Sequence, residues 1–503
     1  MIVLPLVLAT LATLVAGFLA WWEYRRTEEL FTPWMLFLVY AVLDVFLPAS
    51  IFLIGEPPSL TDWIVPLRKE DIATSTLVYV VALAFFAGGY FFASRRDTEV
   101  GGSKAWRALG DLRPKLGYLY VGLAISAGWY LFYQFTLVAE AGSFDVYLSD
   151  KFRQRFRPDI FASRNLFDFV FNQFAPSMLP IFLVLVGILF FFRYKYDKPM
   201  LWGWALPAVA WLLTLTTFYR GYQLNYFLSL AFIEACRLRV VRLHPEAHLE
   251  RSGRPATRLL MAPRTKVLAA VAVLLFVFYG AYRQYHSSFQ YGRPVSMVGA
   301  LTSQGGELVR GWGVVGLTSI VHAYPDDGSR LGGTSLITSL FMPVPRPLWP
   351  GKPERYGAEE VTRRMGWPIT TQSAITMPGE LYANFGLLGV PVVVAFGFLF
   401  RAVYRRRLHP KLFFAYAFFV PHGVLLTHWM SATGLMTTVT LYSLSVGAVF
   451  LVLRRDDPHA PAHIEDGGHR GQLSPVALSA KGARRGSARA GAGPLPVHFS
   501  RPR

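Results

Sequence analysis

Charge is scarce in this chain. Asp, Glu, Lys and Arg make up only 16% of its 503 residues, whereas a soluble globular domain carries about a quarter. Cysteine is nearly absent. The single Cys236 excludes an intramolecular disulfide, and with no Cys or His at ligand spacing around it the residue reads as helix packing rather than metal chemistry. No Walker-type phosphate loop, no GxGxxG after a strand and no zinc motif occurs, so nucleotide and zinc chemistry have no local signature here. The opening MIVLPLVLAT lacks the basic stretch of a secretory signal, and we expect a first membrane span rather than a cleaved leader.

Apolar residues, by contrast, reach 53% and aromatics 15%, with a mean hydropathy of +0.35. They gather in runs of roughly 17 to 25 residues, the length that crosses a hydrocarbon core of about 30 Å as a helix. The expected fold is an all-α polytopic membrane protein of about 11 transmembrane helices. The expected spans lie at 2–22, 31–54, 72–93, 116–139, 166–192, 201–219, 222–236, 267–282, 380–400, 411–428 and 435–453.

The formal charge of +19 could suggest a nucleic-acid partner, but the position of the cations argues against one. About two thirds of the 50 Lys and Arg residues fall in six clusters on one expected side of the membrane. These are Arg25 and Arg26, Arg95 to Lys115, Arg193 to Lys198, Arg237 to Lys266, Arg401 to Lys411, and the tail from Arg454. The positive-inside rule makes that side cytoplasmic, with the N-terminus outside and the C-terminus inside. Four regions follow: an N-terminal bundle at 1–282, a large outward loop at 283–379, C-terminal membrane helices at 380–455, and a tail at 456–503. The tail, rich in Ala, Gly, Pro and Arg, is expected to be disordered and basic. Within the loop, GWGVVGLTSIVHAY and TSLITSLFMPVP are too short or too broken to span and should form interfacial or re-entrant helices.

The chemistry-bearing residues concentrate between Pro343 and Val390. Pro343, Pro345, Pro347 and Pro350 forbid a helix and stiffen the backbone, which would present Arg346, Trp349 and Lys352 in set positions. A guanidinium forks onto two oxygens of a phosphate and an ammonium adds a point charge, so Arg346 with Lys352 can clamp a pyrophosphate while Trp349 offers a platform to a sugar. A proline-stiffened loop meeting lipid headgroups explains the same residues without catalysis. Gly379-Glu380 opens the ninth expected span, followed at once by Tyr382, Asn384, Phe385 and Gly386. Glu380 is either a carboxylate favoured by the helix N-terminus or a base that deprotonates an acceptor hydroxyl.

The run VPRPLWPGKP, followed some thirty residues on by PGELYANFGLLG, resembles the signature of Wzy-type O-antigen or oligosaccharide repeat unit polymerases. The resemblance covers Pro343 to Gly389, about a tenth of the chain. It implies a GT-C-like helical fold with one large periplasmic loop in the bacterial cytoplasmic membrane, working without a bound metal or other cofactor. The substrates it implies are undecaprenyl-pyrophosphate-linked oligosaccharides, and its implied partners are the lipid bilayer, a flippase and a chain-length regulator of the same pathway. An R-x10-G pattern associated with periplasmic loops of some members fits Arg346 with Gly357 and Arg355 with Gly366. In TTFYRGYQLNYF, Arg220 beside Gly221 resembles an arginine-containing hairpin near the pyrophosphate in this class; a snorkelling interfacial arginine is the plainer reading.

Several polar residues remain. Lys151, Arg153, Arg155 and Arg157 read first as an amphipathic segment on the anionic membrane surface, with Arg153 and Arg155 kept as candidate substrate contacts. His322 with Asp326 and Asp327 in VHAYPDDGS reads as a solvated turn. His422 and His428 read as packing or pore-facing groups, and Asp44 inside the second span should face the bundle interior. Two competing functions stay open. One is a GT-C glycosyltransferase using a polyprenyl monophosphate sugar or an O-antigen ligase; the former class would want an acidic pair in the first outward loop, and Glu70-Asp71 against a helix is a poor match. A transporter or flippase would want paired broken helices in two related halves, which the pattern lacks.

Overall fold

A computed structural model describes residues 3–27, 29, 32–54, 68–94, 103–143, 166–193, 202–215, 220–244, 296, 298–299, 312–325, 330–341, 344, 348–349, 357–364, 375–429 and 432–455. All but two three-residue strands and short connections are helical, and all lie in one compact unit, Met1–Asp456. The expected span at 267–282 and the tail after 456 lie outside the described residues. Five of the described helical stretches are long and apolar enough to cross a membrane: Val3–Thr27, Pro33–Ile54, Lys69–Ser94, Leu116–Ala139 and Met377–Arg405. The chain is thus an all-α protein with the helices of a membrane protein.

Helix α1 (Val3–Thr27) buries Ala9, Ala16, Ala20 and Glu23 on a single stripe and leaves Leu4, Leu11, Leu14 and Phe18 exposed, as a helix at the lipid-facing edge of a bundle must. Thr32 starts α2 (Pro33–Ala41): its side chain accepts from Met35 N at 3.2 Å, and Pro33 occupies a position where its missing N–H costs nothing. The helix then widens into a π-turn at Val42–Phe46 before α3 (Leu47–Ile54). Pro48 supplies the reason, because it cannot donate to the carbonyl of residue 44 and its ring pushes that carbonyl away. The π-turn carries Asp44, which is buried and lies against Gly313, where a Cβ would strike its carboxylate. The interior position expected for Asp44 is observed.

Helices α4 (Lys69–Ser94), α5 (Ser103–Gly110), α6 (Leu116–Ala141), α7 (Leu166–Phe191), α8 (Trp202–Leu215) and α9 (Arg220–Leu243) follow. From Phe182 to Phe191 α7 is buried on all sides, which marks it as central. The segment expected as a large outward loop contributes α10 (Trp312–Ala323), α11 (Thr334–Leu340) and α12 (Gly357–Arg364). At about 1.5 Å per residue α10 is too short to span, as expected for its sequence, and Gly313 to Val321 are buried throughout. It packs within the same compact unit, against α4 and the π-turn.

The chain ends in α13 (Met377–Phe385), a 3₁₀ segment (Gly386–Val392), α14 (Val393–Arg405), α15 (Phe413–Trp429) and α16 (Ala432–Val452). α14 crosses α4 at backbone contact: a Cβ on Gly89 would meet the Val394 carbonyl, and one on Gly397 the Phe86 carbonyl. Small residues permit such approach where lipid supplies no hydrophobic drive between helices.

Among the described residues, charged groups from several of the cationic clusters meet acidic partners at one end of this bundle. Arg401 Nη1 donates to Glu23 Oε1 at 2.9 Å, and the Tyr90 hydroxyl donates to the same oxygen at 3.2 Å. Arg407 forks onto Glu29 at 2.7 and 2.8 Å, while Arg239 stacks on Trp106 and reaches Glu29 at 3.7 Å. Burial alone would lower the Arg407 pKa, but the adjacent Glu29 carboxylate outweighs it and holds the guanidinium above its ordinary value. Strand β1 (Leu112–Pro114) pairs antiparallel with β2 (Leu453–Arg455), setting Arg113 opposite Arg454. Arg193, of another cluster, pairs with Glu234 at 2.6 Å, and Arg237, which opens the Arg237–Lys266 cluster, binds the same carboxylate one turn along α9.

Candidate functional site

The opposite end of the bundle carries a second polar assembly, built around the first turns of α13. Thr376 caps this helix, its side chain accepting from Gly379 N at 3.0 Å, and Pro378 sits in the first turn. A helix therefore begins where the sequence placed it. Gly379 is required by packing: a Cβ there would lie 2.7 Å from Ile320 Cδ1 and 3.2 Å from Leu317 Cδ1, so the start of α13 rests on the last turns of α10.

Glu380 is 0% exposed. Ser335 Oγ donates to its Oε1 at 2.8 Å, and Asn384 Nδ2 contacts Ser335 Oγ at 2.6 Å and the Glu380 carbonyl at 2.7 Å. The Asn384 side-chain oxygen accepts from Gly333 N at 2.9 Å. Two backbone bonds complete the attachment, Leu331 N to Ala383 O and Gly332 N to Asn384 O, each at 3.1 Å. Gly332 and Gly333 both have positive φ, which the turn into α11 demands and which residues with a Cβ rarely adopt. The turn at 330–335 is thus strapped to α13 by groups of Glu380, Ala383 and Asn384.

That turn presents Arg330. Its guanidinium lies 4.4 Å from the Tyr382 ring centroid, and Nη1 donates to the Tyr382 carbonyl at 3.1 Å. Gly386, at φ +65°, gives it room: a Cβ there would be 3.3 Å from Arg330 Nη2. Glu380, Tyr382 and Asn384 are accordingly brought into one assembly, together with Arg330 and Ser335, which the sequence reading did not single out. No local motif marks Arg330, since its seat is made by residues some fifty positions later.

Of the remaining candidates, Trp349 meets Phe341 edge-on, with centroids 5.3 Å apart, and is half-buried. Arg220 opens α9. Arg346, Lys352, Arg355, Arg153 and Arg155 lie outside the described residues. His322 departs from the turn expected for it: it occupies the last turn of α10, and its Nδ1 lies 3.0 Å from Asp71 Oδ2 in the first turn of α4. Asp326 and Asp327 lie outside the described residues. Beside it, Arg364 stacks on the Tyr324 ring at 4.6 Å, and burial pushes the Tyr324 phenol up to about 12. His422 is buried with Nδ1 3.3 Å from the Tyr442 hydroxyl, a packing role as expected, and Cys236 is buried as a packing residue should be.

No family model, no curated protein and no solved structure matches the chain.

Proposed function

We propose that this protein polymerises undecaprenyl-pyrophosphate-linked oligosaccharide repeat units into a surface polysaccharide, by glycosyl transfer at the outer face of the bacterial cytoplasmic membrane. The observation that carries the reading is the coincidence of motif and assembly. Glu380, Tyr382 and Asn384 all belong to the PGELYANFGLLG run that resembles Wzy-type polymerases, and they are the residues that seat Arg330. A motif that only began a membrane span would not need to hold a cation at its edge.

Pyrophosphate leaves readily once its developing charge is matched, so preorganised cations supply most of the barrier lowering. Arg330 joins Arg346, Lys352 and Arg220 as the cations for that task, with Arg355 and the Arg153–Arg155 patch as outlying contacts. Losing one such contact costs about 3 to 4 kcal/mol in the transition state. Glu380, 0% exposed and accepting from Ser335, anchors the 330–335 turn, the first of its two readings. Trp349 remains the candidate sugar platform.

The deciding experiment is a gel of lipid-linked glycans from cells with and without the protein. Single repeat units that accumulate in its absence, with a polymer ladder restored on its return, support the reading. An unchanged ladder in cells lacking the protein overturns it, and loss of lipid-linked units from the outer leaflet would point to a transporter instead.

A further inference from the structure

Helices α4 and α10 meet through two successive polar contacts. In the deeper one the Ser75 and Thr318 hydroxyls lie 2.8 Å apart and are buried. One turn nearer the bundle end, Asp71 Oδ2 lies 3.0 Å from His322 Nδ1. Asp71 and Ser75 are four residues apart on α4, as are Thr318 and His322 on α10, so each pair shares one face of its helix. The Asp71–His322 contact therefore continues a set helix–helix register and is not a chance surface pairing. Its side chains keep 21% and 35% of their exposure, sheltered but open to a reactant.

The chemistry of the pair is directional. A carboxylate facing Nδ1 favours the tautomer in which Nδ1 donates to Asp71, the arrangement that leaves the Nε2 lone pair as the acceptor. A histidine whose tautomer and ring orientation are set by a carboxylate is the base-and-orienter arrangement known from acyl transfer, and its proton chemistry serves any attacking hydroxyl. Competing bases nearby are less suited. Glu380 is sealed, and the Tyr324 phenol, pushed up to about 12, keeps its proton near neutrality. The last turns of α10 also rest directly on the start of α13 through Leu317, Ile320 and Gly379, so His322 is carried by a helix packed against the one that seats Arg330.

We propose that His322, oriented by Asp71, is the general base of the transfer, a role that rests on the polymerase reading above. The acceptor hydroxyl gives its proton to His322 Nε2 as its oxygen forms the new bond to the anomeric carbon. The bond from that carbon to the pyrophosphate oxygen breaks, and polyprenyl pyrophosphate leaves with the electron pair, its added charge met by the cations. The imidazolium, stabilised by Asp71, returns its proton to water.

The test uses full-length protein in phospholipid vesicles, supplied with lipid-linked oligosaccharides extracted from cells that lack it. His322→Gln and Asp71→Asn should each slow polymer formation by about 100-fold or more, the range set by general-base catalysis. The double variant should be no slower than His322→Gln alone, because the two groups act as one unit. Added imidazole should restore part of the rate to His322→Ala, which it could not do for a lost helix tie. His322→Gln within about threefold of wild-type rate, or rate losses that track unfolding and ignore imidazole, overturns the assignment. Wild-type protein that forms no polymer overturns the polymerase reading itself, and the role of the dyad with it.

Discussion

Arg330 is attached to Tyr382 twice, its guanidinium stacked 4.4 Å from the ring centroid and its Nη1 donating to the carbonyl of the same residue at 3.1 Å. Stacking uses the flat, delocalised cation, and the hydrogen bond sets its rotation. A lysine can satisfy neither fully. Arg330→Ala should cut polymer formation by two to three decades, the rate equivalent of about 3 to 4 kcal/mol, and Arg330→Lys should recover only part of it. Rates of glycan lengthening on gels, beside donor binding to purified variants, measure both.

The Glu380–Ser335 bond makes a separate prediction. Ser335→Ala leaves a buried carboxylate short of a donor and should lower stability by about 1 to 3 kcal/mol, with shorter glycans as the Arg330 turn loosens. Glu380→Gln keeps an oxygen for Ser335 and should retain at least about a tenth of the turnover. Thermal melts in detergent and glycan gels read the two effects. Complete loss of turnover in Glu380→Gln with an unchanged melt would instead restore Glu380 as the base.

Glu23 and Arg401 are 0% and 1% exposed and share a bond of 2.9 Å. Removing one partner of such a pair leaves a buried charge without its main counter-ion, at a cost of up to about 3 to 5 kcal/mol, part of which Tyr90 offsets at Glu23. Arg401→Met should therefore reduce folded protein in the membrane sharply, while Glu23→Gln with Arg401→Met should recover much of it. Protein level and detergent melting temperature are the measurements, and equal levels for single and double variants would contradict the pairing.

Topology can be read by thiol labelling, because the native Cys236 is buried. Leu348→Cys, on the exposed surface between α11 and α12, should react with an impermeant maleimide in intact spheroplasts. Arg406→Cys, between α14 and α15, should react only after the membrane is breached. The reverse pattern would invert the orientation and move the site to the cytoplasm.

A chain ending at Arg455 keeps β2 and its pairing with β1, and should polymerise at the full rate, whereas one ending at Val452 loses the partners of Leu112 and Arg113. The shorter chain should be less abundant and melt lower. Loss of polymer in the longer one at normal protein level would give the tail a role its composition does not suggest.

Properties carried by a single stretch of chain were determined by the sequence. Twenty apolar residues in a row raise the cost of any non-helical backbone in lipid, so α1, α2 with α3, α4 and α6 stand close to where hydropathy puts them. The acidic residues that end α1 and the cations that end α14 lie close to those helices' ends in sequence, and Glu23 with Arg401 and Glu29 with Arg407 meet at one end of the bundle. The cap at Thr376 and the first turn at Pro378 are equally local, and α13 begins there. Tertiary structure alone decided the partners. His322 read as part of a turn with Asp326 and Asp327, yet α10 runs on through it and its partner is Asp71, 251 residues earlier. Arg330 carries no motif because its seat is Tyr382, and the depth of Glu380 follows from α11 folding back over α13 to bring Ser335 to it. Helix formation depends on neighbours three and four residues away, whereas these pairings depend on which helices pack together. That choice is made by the shapes of whole surfaces, such as the glycine faces of α4 and α14, and no window of sequence contains both sides of it.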